Sequence, residues 1–125
     1  MEDVPGPARL LVCQDGVKAM IAESDIEKAI DFLRDSATEA AQATANRQHL
    51  QNFSGVIKSL IMSEHLAEPV NAQERYAHAD VRYKNHLEGL KVAIFEDARF
   101  TNLRDAAEAK IRAWQTMCSN ERGKI

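Results

Sequence analysis

Four histidines are the first residues to test for chemistry: His49, His65, His78 and His86. None shares the spacing of a metal-ligand set. His65 and Glu68 stand three apart on a helical stretch, but in the reverse order of the Glu-x-x-His used by di-iron bundles, and no second copy accompanies them. The two cysteines, Cys13 and Cys118, have no CxxC partner for zinc and are too few for a disulfide framework, so reduced thiols in a reducing compartment are expected. Adjacent acids such as Glu96 and Asp97 fall on a helical face where carboxylates are ordinary. No glycine-rich phosphate loop, nucleophile elbow or HExxH occurs. The expectation is a protein that is not an enzyme, with no catalytic residue, cofactor or metal.

Nucleic-acid binding is the one chemistry with named candidates. From Arg99 to Lys124 there are six bases and three acids, while from Asp25 to Glu39 there are five acids and two bases. Arg104, Arg112, Arg122 and Lys124 are the candidate phosphate contacts, with Trp114 able to stack on a base. A second reading uses the same charges for folding. In an antiparallel hairpin the basic end of the last helix lies beside the acidic start of the first. Each charge also suits the dipole of its own helix end. On a helical wheel Arg104 and Arg112 flank one side of the Trp114 seam and Arg99 and Lys110 the other, as stems covering a seam do. This second reading places Trp114, Ile111 and Leu103 in a structural seam and makes nucleic acid the less favoured partner.

The elements that would position these residues are helical throughout. The chain has 125 residues, 45% of them hydrophobic and 28% charged, with five glycines, three prolines and a net charge of −3. That composition suits one all-α domain and leaves no apolar run of the roughly 20 residues needed to span a bilayer. The acidic start, Met1-Glu2-Asp3, is unlike a secretory signal, and a cytoplasmic location is expected. Residues 1–23, which hold Pro5-Gly6-Pro7, read as a partly irregular arm, and residues 24–125 as the helical domain.

Ser24-Asp25-Ile26-Glu27 has the pattern of a capping box and predicts a helix from Asp25 to about Ala67, which at 1.5 Å per residue is about 64 Å long. Pro69 ends it. Asn71-Ala72-Gln73-Glu74 predicts a short helix from Ala72 to about Ala79, and Asp80 caps a last helix from Val81 to Cys118. Apolar residues at steps of three and four give seams: Ile26, Ile30, Leu33, Ala37, Ala40 and Thr44; then, after a loss of register near Arg47-Gln48-His49, Leu50, Phe53, Ile57 and Leu60. The last helix carries Tyr83, Leu87, Leu90 and Ile94, then Phe100, Leu103, Ala107, Ile111, Trp114 and Cys118. Two helices enclose little, so Phe32, Val56, Ile61, Phe95 and Met117 are expected to face a second chain. The fold class read from this is an all-α, coiled-coil-like antiparallel hairpin that dimerises into a bundle. Gly55 and Gly89 fall at similar heights above the turn, which suggests either a close backbone approach or coincidence.

The C-terminal half also carries a resemblance. Glu74-Arg75-Tyr76-Ala77-His78, Tyr83, Leu87-Glu88-Gly89-Leu90, Leu103-Arg104, Ala107, Ile111-Arg112-Ala113-Trp114-Gln115-Thr116 and Ser119-Asn120-Glu121-Arg122 resemble small helical proteins of tailed phages and prophages of proteobacteria. Ile30-Asp31-Phe32-Leu33-Arg34-Asp35 fits the same pattern. Gln115 departs from it, standing where the pattern has arginine. The family has no assigned function and is often encoded near recombination and single-strand annealing genes. The resemblance implies a protein of the infected bacterial cytoplasm. It would act through contact with a phage or host protein, as a recombination or replication accessory or as an inhibitor of a host defence or repair factor.

Overall fold

The computed structural model describes residues 22–123, and all the regular structure there is helical. Helix α1 spans Glu23–Asp35, α2 Ala37–Met62, α3 Val70–Ala79 and α4 Val81–Gly123, with a 3₁₀ turn at Ser63–His65. The expected arm lies outside the described residues apart from its end at Ala22 and Glu23, and Lys124 lies outside them too.

The single first helix of the sequence reading is in fact two. Ser36 separates them, because its hydroxyl donates 2.6 Å to the Phe32 carbonyl while its amide bonds the same oxygen at 2.9 Å. A serine that satisfies the preceding turn with its side chain competes with the regular backbone ladder. The capping box at Ser24 does not form either. Ala22 holds the N-cap in an extended conformation with no side-chain cap bond, and Asp25 and Ile26 donate their amides to its carbonyl. Glu23 and Asp25 place negative charge in the first turn, where the helix dipole favours it.

The first long stretch ends earlier than the expected Ala67: α2 stops at Met62, a 3₁₀ turn follows at Ser63–His65, and Pro69 is the N-cap of α3 with ψ 155°. The helix therefore starts at Val70, two residues before the expected Ala72. The expected box of Asn71 with Glu74 does not form, and the Gln73 side chain donates 2.8 Å back to the Glu68 carbonyl. Asp80 does cap α4: its Oδ1 accepts the Arg82 amide at 2.8 Å.

The chain forms two compact units, one running up to Thr38 and again from Thr101, the other Glu39–Phe100. In the second unit Ala40, Ala43, Arg47, Leu50, Ser54, Ile57 and Ile61 of α2 are all buried or half-buried. So are Tyr83, His86, Leu90, Ala93, Asp97 and Phe100 of α4. Both series alternate steps of three and four, the spacing of a coiled-coil seam. Thr44 and Arg47 meet Asp97, Ser54 meets His86 and Glu64 meets Arg82, so numbers rise on one segment as they fall on the other. In the first unit Ile26, Ala29, Leu33 and Ser36 form one series and Arg104, Ala107, Ile111, Trp114 and Cys118 the other.

This corrects the expected seams. Ile30, Phe53, Leu60, Leu87, Ile94 and Leu103 are exposed, while Ile61, expected to face another chain, is 1% exposed within its own unit. Register does not lapse near Arg47; it passes through it. The cause is that polar side chains occupy seam positions and find partners across the pair, so an apolar-only pattern drifts to the neighbouring positions. Gly55 and Gly89 mark no close approach, since a Cβ at either would meet nothing within 4 Å.

Candidate interaction surface

Three polar contacts sit in the seams. In the second unit Thr44 Oγ1 and Arg47 Nε both donate to the Asp97 carboxylate, one to each oxygen, and Arg47 also reaches Gln51. Asp97 is 9% exposed, and the Thr44 hydroxyl, then the Arg47 guanidinium, hold its carboxyl below the ordinary aspartate range. Nearer the turn, His86 Nε2 lies 2.9 Å from the Leu50 carbonyl and 2.8 Å from Ser54 Oγ. A carbonyl only accepts, so Nε2 carries the proton in this arrangement. In the first unit Arg104 Nη1 donates 2.7 Å to the Leu33 carbonyl and 2.8 Å to Ser36 Oγ, at the break between α1 and α2. Polar groups that can be satisfied only in one alignment specify register.

The turn end of the second unit is an ion-pair and ring cluster. Arg82 donates both terminal nitrogens to Glu64 and also bonds both oxygens of Asp80. These bonds hold the Asp80 carboxyl down at about 2 and keep Glu64 below the usual glutamate range. His65 stacks on Tyr76 with ring centroids 4.2 Å apart, and His78 meets Tyr83 edge-on at 5.3 Å. Each histidine faces an aromatic ring, and no group of three His, Cys, Asp or Glu among the described residues could hold a metal. Glu96, beside Asp97 in sequence, is paired with Arg99 and likewise held below its usual range.

The sequence-derived basic candidates are not gathered into one patch. Arg104 is half-buried and occupied by the Leu33 carbonyl and Ser36. Arg112 is exposed, and Arg122 is exposed with a long 3.4 Å contact to Ser119. Among the described residues no ion pair joins the acids of α1 to the basic end. Asp31 and Asp35 pair instead with Arg34 of their own helix. Arg104 serves the fold through a carbonyl and a hydroxyl rather than a carboxylate. Trp114 and Ile111 are half-buried, Leu103 is 44% exposed and Pro69 is exposed. Cys118 is buried and disulfide-bonded, so the expectation of a free thiol there does not hold.

Val56 and Phe95, two of the residues expected to face a second chain, are exposed, and they belong to a wider exposed apolar surface of the second unit. On α2, His49, Phe53, Val56 and Leu60 follow one another at steps of four, three and four on the flank of the seam, and all are exposed. On α4 Val92 and Phe95 are also exposed. A groove of about 350 Å³ in this unit is lined by Ala43, Asn46, His49, Gly89, Val92 and Glu96 among others. The signal in the sequence was the second apolar stripe beside the first. Among the described residues no helix is long and apolar enough to cross a membrane. No family model matches the chain, and no curated protein or solved structure does so either.

Proposed function

We propose that this is a non-enzymatic helical hairpin that self-associates into a bundle and works through protein–protein contact. The observation that carries the reading is the distribution of apolar surface. Among the described residues only eight apolar residues are buried, five of them alanines, while eleven large apolar residues of the Glu39–Phe100 unit remain exposed. Exposed apolar surface of that kind marks a contact surface for another protein. Three of the unit's bases, Arg47, Arg82 and Arg99, are held by carboxylates.

The sequence resemblance supports a phage or prophage setting, with a recombination or replication accessory role as the leading assignment. Under the same reading the partner protein is a phage factor or a host defence or repair factor. A second reading, nucleic-acid binding, draws on the exposed Arg112 and Arg122. A gel shift with single- and double-stranded DNA over a salt series separates the two. Phosphate contacts give affinity that falls steeply with salt. The protein-contact reading expects no shift at physiological salt and retention of a specific protein partner; a steep salt slope lost in the Arg112→Ala, Arg122→Ala double variant would replace it.

A further inference from the structure

We propose that the first unit carries a binding site for a small amphipathic anion, a medium-chain carboxylate in chemical class, with Lys28 and Lys110 holding the head and Phe32 and Leu103 the tail. The site goes beyond the protein-contact reading and lies in the other unit of the chain.

The site is a groove of about 300 Å³. Asp25, Lys28, Ala29 and Phe32 line it from α1, and Leu103, Ala106, Ala107 and Lys110 line it from α4. Arg104 fixes the register, since it bonds the Leu33 carbonyl and the Ser36 hydroxyl. From that anchor the groove follows falling numbers on α1 and rising numbers on α4. At 1.5 Å per residue, Lys28 lies about 7.5 Å from Leu33 and Lys110 about 9 Å from Arg104, so the two ammonium groups stand at nearly one height on opposite walls. Away from them both walls turn apolar in the same direction, through Ala29 to Phe32 and through Ala107 and Ala106 to Leu103. The apolar stretch is about 6 Å long on α1 and about 10 Å on α4.

Charge selects the occupant. Among the described residues neither lysine is in an ion pair, and Asp31, one turn from Lys28, is taken by Arg34. Asp25 also lines the groove, but it lies beyond the lysines from the apolar end, in the first turn of α1, where the helix dipole favours its charge. Two of the three charged lining groups are therefore cations with no carboxylate bound to either. Opposed ammonium groups repel, and a carboxylate between them satisfies both. Its apolar body then covers Phe32, which is half-buried, and Leu103, which is 44% exposed. A volume at the lower end for small-molecule sites suits a chain of medium length.

Octanoate is the probe, titrated into the full chain and followed by amide NMR. Saturable shifts should centre on Lys28, Ala29, Ala106 and Lys110. Acetate, which is the head alone, and octanol, which is the tail without the charge, should each bind at least about tenfold more weakly. Those comparisons need no variant. Lys28→Met with Lys110→Met keeps the apolar stems and should weaken octanoate about tenfold or more while leaving octanol unchanged. Ala106→Leu, at an exposed position, fills the groove and should weaken both ligands. Lys84→Met, at an exposed lysine of the second unit, should bind octanoate like the parent. Octanoate that does not saturate, or that binds no better than octanol, overturns the proposal. A double variant that binds octanoate like the parent overturns it too, as do shifts centred on the second unit.

Discussion

Arg104 is the residue on which the structural and nucleic-acid readings differ most, and Arg104→Met separates them. Methionine keeps most of the apolar stem and removes the guanidinium. The parent side chain makes two charge-assisted bonds, 2.7 Å to the Leu33 carbonyl and 2.8 Å to Ser36 Oγ, from a half-buried position. Bonds to a charged donor contribute about 1.5–3 kcal/mol each, and part of that is lost where water competes. Both acceptors sit at one break, so the two are not independent, and about 2–3 kcal/mol is the expected total. Urea unfolding followed at 222 nm should show a lower midpoint with an unchanged slope. Arg112→Met, at an exposed site, should change stability by no more than about 0.5 kcal/mol. Ser36→Ala combined with Arg104→Met should cost less than the two separately, because they remove one shared contact. Equal losses for Arg104→Met and Arg112→Met, or strict additivity with Ser36→Ala, would refute the clamp.

Ile61, 1% exposed, should cost about 2–5 kcal/mol when cut to alanine, measured by the same urea titration, whereas Leu60→Ala, at a 57% exposed neighbour, should cost far less. Trp114→Ala should cost about 1.5–3 kcal/mol, below the 3–5 of a fully enclosed aromatic, because the ring is only half-buried. Acid should destabilise the fold in a defined window. Asp80, held at about 2 by Arg82, and Glu64, Glu96 and Asp97, held low by their own partners, are all more acidic folded than unfolded. Their stabilisation is therefore complete above about pH 4.5 and is lost as pH falls through the folded values toward 2. A melting temperature that stays level from pH 5 to 2.5 would contradict this.

The elements set by local chemistry were legible in the sequence. Asp80 caps the start of the last helix, and α4 runs on past Gly89 without a break, as its pattern indicates, whereas α2 ends at Met62, ahead of the proline expected to stop it. The break at Ser36 was not legible. A serine in an alanine-rich stretch is compatible with helix, and what holds this one is Arg104, 68 residues away. The same non-local cause hid the true seams. Arg47, His86, Asp97 and Arg104 occupy seam positions because each has a partner across the helix pair, and a search for apolar residues alone steps over them to Ile30, Leu87 and Ile94. Admitting polar residues would have exposed the unbroken alternation from Ala40 to Ile61 and from Tyr83 to Phe100. The basic segment misled in a related way: counting charges brings Arg104, Arg112 and Arg122 together, yet the fold engages Arg104 with uncharged acceptors and leaves the other two in water.

The central claim is that this chain's exposed apolar surface exists to be covered by protein, first by its own second copy. Light scattering coupled to size exclusion, over a concentration series from below one micromolar upward, tests it most directly. The account predicts a mass that rises with concentration toward twice the 14.0 kDa of the chain. A constant 14.0 kDa at tens of micromolar would contradict it.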